Sequence, residues 1–311
     1  MRAAVIHELG GDPVVEEFRD PPAGNDRARV LAAALNPVDL TIASGKLPFR
    51  RPAPPFVAGL EGVAQLPDGS HRYFSAPALP FGSVAEWVPL GEAETAAVPA
   101  GLDPAIAAAF GVSGLAAWTA LQHTGQLKEG ETVLVLGAEG QVGQVALQAA
   151  RLLGAAAVVG VARDEAGRQV ALGRGADAAV TLEEPDTLTE RLRAAAPDGY
   201  DLIIDMIWGP AIPHVIDAAG RGARLVQVGN SAGPAATVNA PIFRDKGAHI
   251  LGHASMLLTA EQRRAAYEEL ARRAAAGGLS VDVERMSLDE VPAAWRKVAA
   301  AVSTRKLIIA P

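Results

Sequence analysis

Between Thr132 and Gly229 the sequence alternates short continuous apolar runs with longer amphipathic ones, and this pattern restricts the fold more than any other feature. The runs TVLVL, AAAVVGVA, AAVTL, YDLIIDMI and ARLVQVG show no polar–apolar alternation. Strands of that kind are buried on both faces, as in a parallel sheet covered by helices. The segments between them read as helices. In QVGQVALQAARLLG, residues Val142, Val145, Ala146, Ala149, Ala150 and Leu153 recur at three and four, the spacing of one helix face. DEAGRQVALGRGA, PDTLTERLRAAA and AIPHVIDAAG supply the other helices. Two consecutive βαβ halves follow, the doubly wound plan.

The first hundred residues have a different texture. RAAVIH, RVLAAAL, PFVAGLEGVAQL and SVAEWVPL are short apolar runs bounded by Pro, Gly, Asp and Asn; they predict short strands in an all-β, barrel-like unit. Around VDLTIASG a brief helix competes with that reading. DPAIAAAFGVSGLAAWTALQHTG has helical spacing, with Asp103 as N-cap and Gly125 at the stop. After Gly252 come a polar-faced helix, TAEQRRAAYEELARRAAAGG, and a strand–helix–strand ending. Those last strands have no place in the doubly wound sheet, so the C-terminus is expected to return to the first domain. The expected domains are 1–110 with 254–311, and 111–253.

The turn between the first strand and helix of the doubly wound region reads Gly137-Ala138-Glu139-Gly140-Gln141-Val142-Gly143. A dinucleotide fingerprint has Gly-x-Gly-x-x-Gly here, so that backbone approaches pyrophosphate and the helix packs on the strand. Its second and third glycines are Gly140 and Gly143; the first is alanine, with Gly137 just before it. A tight turn with no ligand is the alternative reading. The turn follows a strand and opens a helix whose N-terminus attracts phosphate, which favours pyrophosphate at Gly137, Gly140, Gln141, Val142 and Gly143. At the end of the next strand, where an acid would bind ribose hydroxyls, Ala162 stands with Arg163 after it. Arginine pairs with a 2′-phosphate in bidentate fashion, so NADPH is the expected cofactor, with Arg168 a second contact. Alternatively Arg163 is a solvated loop residue and Asp164 restores NAD binding. Asn230 and Ser231, at the carboxyl end of a later strand, are expected at the cofactor's ribose or nicotinamide, since open α/β sheets bind ligands at that end.

Composition closes other routes. The net charge is −7, with Lys and Arg scattered along the chain, which leaves no basic footprint for nucleic acid. Absence of cysteine removes disulfides, thiol nucleophiles and thiolate metal sites. Of the six histidines only His249 and His253 are close in sequence, so no metal site is expected. The N-terminus lacks a signal peptide's apolar core, and no apolar run approaches the roughly 20 residues of a membrane span. A cytoplasmic protein with no membrane partner is expected.

Taken together, Ala34-Leu35-Asn36-Pro37-Val38-Asp39, Gly59-Leu60-Glu61-Gly62, Gly82-Ser83-Val84-Ala85-Glu86-Trp87, Gly114-Leu115-Ala116-Ala117-Trp118-Thr119-Ala120-Leu121, the glycine turn and Val228-Gly229-Asn230-Ser231-Ala232-Gly233 resemble the medium-chain dehydrogenase/reductase superfamily, in its zinc-free quinone oxidoreductase branch. The resemblance covers nearly the whole chain. It implies an α/β protein with a GroES-like β-barrel domain and a doubly wound Rossmann domain, a substrate site in the cleft between them, and a homodimer formed by edge pairing of the strand near Ala248 to Gly252. Zinc-dependent relatives place a cysteine ligand at the position of Asn36 and a histidine ligand at that of Leu60. Asn36 and Thr41 are implied as catalytic donors near the substrate, and Ser113 with Gly114 lies under the nicotinamide. Each has a structural alternative: Asn36 as a turn former, Asp39 as a helix cap, Ser113-Gly114 as a close-packing site. Trp87 and Phe81 line the cleft or belong to the core, and Lys306 is placed near the pocket. Two departures stand out. Thr41 replaces a tyrosine frequent in quinone reductases, and the loop after Leu66 is short and lacks the family's Gly-Asp-Arg-Val turn.

The expected activity is NADPH-dependent, zinc-independent hydride transfer to a small-molecule electrophile, a quinone or an activated alkene such as an enone or alkenal. The alternatives are an enoyl-thioester reductase of a biosynthetic pathway and a non-catalytic NADPH-binding or sensing protein.

Overall fold

The computed structural model describes residues 1–24, 26–48, 50–91, 93–301 and 303–311. The chain divides into two compact units, Met1–Ser113 with Ala260–Pro311, and Gly114–Thr259. Three sheets are formed among the described residues.

The first unit contains β1 (Arg2–Ile6), β2 (Val14–Glu17), β3 (Arg27–Ala34), α1 (Pro37–Ala43), β4 (Phe56–Val57), β5 (Glu61–Gln65), β6 (His71–Ser75), β7 (Trp87–Pro89), β8 (Glu94–Ala97) and α2 (Pro104–Ala109). α3 (Val112–Thr119) begins just before its boundary. One sheet has the order β2-β1-β4 and is antiparallel. Val30 of β3, Phe56 of β4, Phe74 of β6 and Val88 of β7 share a core with Ala4 and Ile6 of β1. Gly62 on β5 has no room for a side chain, because a Cβ would lie 2.5 Å from the Ala32 carbonyl. These sheets fit the barrel that the resemblance implies.

DPAIAAAFGVSGLAAWTALQHTG is not one helix. It is broken at Phe110 and Gly111 into α2 and α3, and ends in a π-helical turn over Ala120–Thr124. Asp103 does cap the start, accepting from the Ala105 N–H at 2.8 Å. The break has a local cause: the Val112 N–H donates to the Glu61 carboxylate at 2.6 Å, and a Cβ on Gly111 would lie 1.9 Å from that carboxylate.

The second unit contains β9 (Thr132–Leu136), α4 (Gln141–Leu152), β10 (Ala157–Ala162), α5 (Glu165–Gly173), β11 (Ala178–Thr181), α6 (Leu188–Ala195), β12 (Leu202–Asp205), α7 (Ile212–Ala218), β13 (Arg224–Gln227), α8 (Ala240–Lys246) and β14 (His249–Gly252). Its strands run in the order β11-β10-β9-β12-β13-β14, all parallel. That order, with the reversal beside β9, is the dinucleotide-binding arrangement. Leu134, Leu136, Val159, Val161, Ile203 and Leu225 from the strands are buried, which is why those stretches read as continuously apolar. Burying such side chains contributes roughly 1.5–3 kcal/mol each.

The chain then forms α9 (Ala260–Ala275), β15 (Val283–Ser287), α10 (Val291–Ala300) and β16 (Lys306–Ala310). β16 pairs antiparallel with β3 and parallel with β15, completing the order β15-β16-β3-β5-β6-β8 with β7 on β3. The last strands thus join the sheet of the first unit. Lys306 opens β16 and is fully buried.

Candidate functional site

The glycine turn joins β9 to α4. The N–H groups of Gly137 and Ala138 both donate to the Val161 carbonyl at 2.9 Å, which fastens the turn to the end of β10. Gly137 has φ +71°, a conformation that favours glycine. Ala138, at the first fingerprint position, is tolerated because it faces Gly160, where a Cβ would lie 3.0 Å from its methyl. Gly143 lets α4 press on the turn: a Cβ there would meet the Gly137 carbonyl oxygen at 2.2 Å. Gln141 and Val142 fill the opening turn of α4, whose first N–H groups have no intrahelical acceptors. Around Gly140 a Cβ would find only the Gly137 oxygen, at 3.2 Å. This open cradle fits a pyrophosphate.

Beside the cradle, Asp164 is committed to capping α5, accepting from the Gly167 N–H at 2.8 Å. Arg168 is engaged as well: its Nε and Nη2 donate to both oxygens of Glu165, at 2.6 and 2.8 Å. The expected second phosphate contact, Arg168, thus pairs with a carboxylate of its own helix in this structure. Arg163 is exposed. Its backbone N–H donates to Glu139 Oε1 at 3.2 Å, while Glu139 Oε2 is buried without a partner. A carboxylate from the glycine turn therefore reaches the end of β10, where the sequence has no acid of its own.

At the carboxyl ends of β12, β13 and β14 lies a cavity of about 310 Å³ lined by Trp208, Gln227, Asn230, Pro234, Ile250 and Gly252. Asn230 is brought to it as expected. Ser231 instead turns its hydroxyl to the Met206 carbonyl at 3.3 Å. Trp208 escaped sequence reasoning. It has φ +55°, a strained region for a residue with a side chain. Asp205 holds it there, with Oδ1 accepting the N–H groups of Ile207 and Trp208 at 2.9 and 2.8 Å. Burial raises the Asp205 carboxyl to about 6.

His253 is buried just past β14. Thr119 donates its hydroxyl to the Leu115 carbonyl at 2.5 Å, so it accepts from His253 Nε2 at 3.1 Å, while Nδ1 accepts from Thr124 at 2.8 Å. The ring is neutral, its pKa pushed down to about 4 by burial and then by His123.

The first unit holds a second cluster. Asn36 Nδ2 donates to Glu61 Oε1 at 2.8 Å and to the Ala34 carbonyl at 3.3 Å. Its Oδ1 accepts from the Lys306 ammonium and, at 3.5 Å, from Ser113 Oγ. Both amide hydrogens are spent on buried acceptors, so Asn36 is the hub of the cluster. Asp39 Oδ2 accepts the Asn36 backbone N–H at 2.7 Å, which secures the first turn of α1. Burial raises the Asp39 carboxyl to about 7. Thr41 is half-buried, its hydroxyl making only a 3.5 Å contact to the Pro37 carbonyl; that hydrogen remains available to a ligand. Phe81 packs edge-on against Phe18 with centroids 6.2 Å apart, and Trp87 lies under the Arg27 guanidinium at 4.4 Å.

Comparison with known proteins agrees with this geometry. Residues 142–275 match the family model of the zinc-binding dehydrogenases. The quinone oxidoreductase of Pseudomonas aeruginosa is 30% identical, with 97% of each chain covered. That of Lama guanicoe is 32% identical over 75% of this chain and 74% of its own. Among solved structures, the quinone oxidoreductase of Thermus thermophilus, also solved as its complex with NADPH, is similar with a TM-score of 0.79 at 29% identity, covering 100% of both chains.

The family model is named for zinc, yet the residues at the two ligand positions do not fit the ion. Leu60 has no donor atom, and the Asn36 oxygen already faces a buried ammonium, which would repel a divalent cation. Among the described residues no group of three or more His, Cys, Asp or Glu is arranged to hold a metal. With its parallel sheet, its glycine turn and near full-length similarity to quinone oxidoreductases, the chain belongs to the medium-chain dehydrogenase/reductase superfamily, in the quinone oxidoreductase-like branch.

Proposed function

We propose that the protein reduces a quinone or an activated alkene, such as an enone or alkenal, with NADPH and without a metal. The observation that carries this reading is the Lys306 ammonium on Asn36, at a position where zinc-dependent relatives are expected to hold a ligand. With no Lewis acid there, the electrophile has to delocalise its own developing charge, as quinones and enones do. The NADPH complex of the Thermus thermophilus relative and the exposed Arg163 support the choice of cofactor.

When bound, the nicotinamide supplies the hydride. The chain's own residues bind and orient. The opening turn of α4 takes the pyrophosphate, with helix N–H groups and dipole favouring its charge. Arg163 pairs with the 2′-phosphate. Asn230 and Trp208 shape the cavity at the strand ends, and Thr41 offers a hydroxyl to the substrate. We place the homodimer contact at β14, the edge of the parallel sheet, where Ile250 is 38% exposed.

The test is a panel of quinones, enones, alkenals, enoyl thioesters and simple alcohols, assayed with NADPH or NADP⁺ before and after dialysis against a chelator. Reduction of quinones or enones that survives dialysis is the expected result. Oxidation of simple alcohols lost on dialysis would contradict it, and binding of NADPH with no turnover would favour a sensing protein.

A further inference from the structure

Three ionisable groups, Lys306, Glu61 and Asp39, are buried together in the first unit with exposures of 0%, 0% and 3%. Nothing in the cofactor-binding role requires them. We propose that Lys306 is a positioning residue, whose ammonium engages the oxygen of Ser113 and so frees the Ser113 hydroxyl hydrogen for the substrate oxygen on which charge develops as hydride arrives. The proposal rests on the reductase reading above.

The geometry of the hydrogen bonds carries it. Lys306 Nζ donates to Asn36 Oδ1 and, at 3.1 Å, to Ser113 Oγ. Ser113 is left with one hydrogen, and the acceptor inside the cluster is Asn36 Oδ1 at 3.5 Å, the outer limit of a hydrogen bond. That acceptor already takes the shorter bond from the ammonium. A ligand oxygen bearing negative charge is a better partner for this hydrogen. Ser113 is also the member best placed to meet one, being 5% exposed against 2% for Asn36 and 0% for Lys306. A hydroxyl whose oxygen accepts from a cation is polarised and donates more strongly.

The ammonium has to stay charged although its side chain is fully buried. Burial pushes the Lys306 pKa down, and the Glu61 and Asp39 carboxylates oppose that shift. Glu61 lies 4.0 Å from Nζ and is held by donors on every side: Asn36 Nδ2 at 2.8 Å, the Tyr73 hydroxyl at 2.8 Å and the Val112 N–H at 2.6 Å. Tyr73 is fixed in turn by stacking on Tyr267 with centroids 4.1 Å apart. The order of support runs from Tyr73 to Glu61, to Lys306, to Ser113.

A buried pair that only stabilises the fold predicts different behaviour, and neutral variants separate the two. In Lys306→Met/Glu61→Gln the closest pair of opposite charges is removed together, and the remaining carboxyl, Asp39, has a pKa already raised by burial to about 7 and can take up a proton. Assayed with NADPH and an enone that the wild type reduces, this variant is expected to keep its melting temperature within a few degrees and its KM within about twofold. Its kcat is expected to fall on the order of 100-fold, the size of losing an oxyanion donor. Ser113→Ala is expected to lose the same factor, and adding it to the double variant no more. Wild-type kcat in Ser113→Ala would overturn the proposal whether or not the double variant folds. So would a folded double variant with wild-type kcat, or losses that multiply in full. If the wild type reduces no acceptor at all, the reductase reading fails instead; a wild type that works beside an unimpaired Ser113→Ala defeats this proposal alone.

Discussion

Lys306 and Asn36 are joined by a hydrogen bond from ammonium to carboxamide oxygen in a place where neither side chain meets solvent. The bond spans 270 positions of sequence and ties β16 to the residue that opens α1. Removing the cation from this region leaves its buried carboxyl groups uncompensated. Lys306→Met alone is expected to lower the unfolding free energy by about 3–5 kcal/mol, because the Glu61 carboxylate is then buried without its cation. Adding Glu61→Gln is expected to restore most of that loss. Urea denaturation of the two variants checks this; equal stability of Lys306→Met and wild type would show that the pair contributes nothing.

Gly143 has no space for a methyl group, since its Cβ would lie 2.2 Å from the Gly137 oxygen. Gly143→Ala is expected to push α4 off the turn, costing roughly 1–3 kcal/mol of stability. NADPH binding, measured by fluorescence titration, should weaken at least tenfold. Unchanged affinity would mean that the cofactor does not use this cradle.

In the proposed NADPH complex, Arg163 and Glu139 act in opposite senses on the adenosine end of the cofactor. The first attracts a 2′-phosphate, and the second brings a carboxylate to the same strand end that repels phosphate and suits ribose hydroxyls. Arg163→Ala is expected to raise the KM for NADPH about tenfold with little effect on NADH. Glu139→Gln is expected to shift the ratio of kcat/KM toward NADPH. A parallel change for both cofactors in either variant would remove that residue from cofactor choice.

His253 makes the second unit sensitive to acid. Its folded-state pKa of about 4 lies below the ordinary 6.5, so as pH falls from 6.5 the unfolded chain takes up a proton that the folded chain refuses. Its stabilising contribution is present above pH 6.5 and is lost progressively toward pH 4, on the order of 3 kcal/mol in all. Asp39 and Asp205, raised to about 7 and about 6, act oppositely and gain stability as pH falls. The difference between wild type and His253→Asn isolates the histidine. That difference in melting temperature should narrow or reverse between pH 6.5 and 4; a constant difference would contradict the assignment.

The doubly wound sheet was legible because its strands are covered on both faces and the chain records that as unbroken apolar runs. TVLVL and YDLIIDMI are instances. The return of KLIIAP to the first unit followed from the sheet having no place for it. The break at Gly111 was not legible, since it depends on Glu61, which meets the chain there only through tertiary packing. Trp208 was hidden for a related reason: nothing in DMIWGP announces a left-handed tryptophan. Glu139 sits inside the fingerprint, yet its reach to Arg163 becomes visible only when β9 and β10 pair. The roles of Asn36 and Lys306 follow from partners that neither periodicity nor spacing can connect.

Everything proposed for the site depends on hydride passing from NADPH to a conjugated acceptor, and isotope tracing follows that hydride itself. NADPH deuterated at the transferring C4 position is incubated with the protein and an enone, and the saturated product is analysed by mass spectrometry and NMR. One deuterium is expected on the β-carbon of the product, with NADPH consumed in equal amount. Consumption of NADPH with no deuterium in the product, or an enone and a quinone both left intact beside bound NADPH, would contradict the proposed reaction.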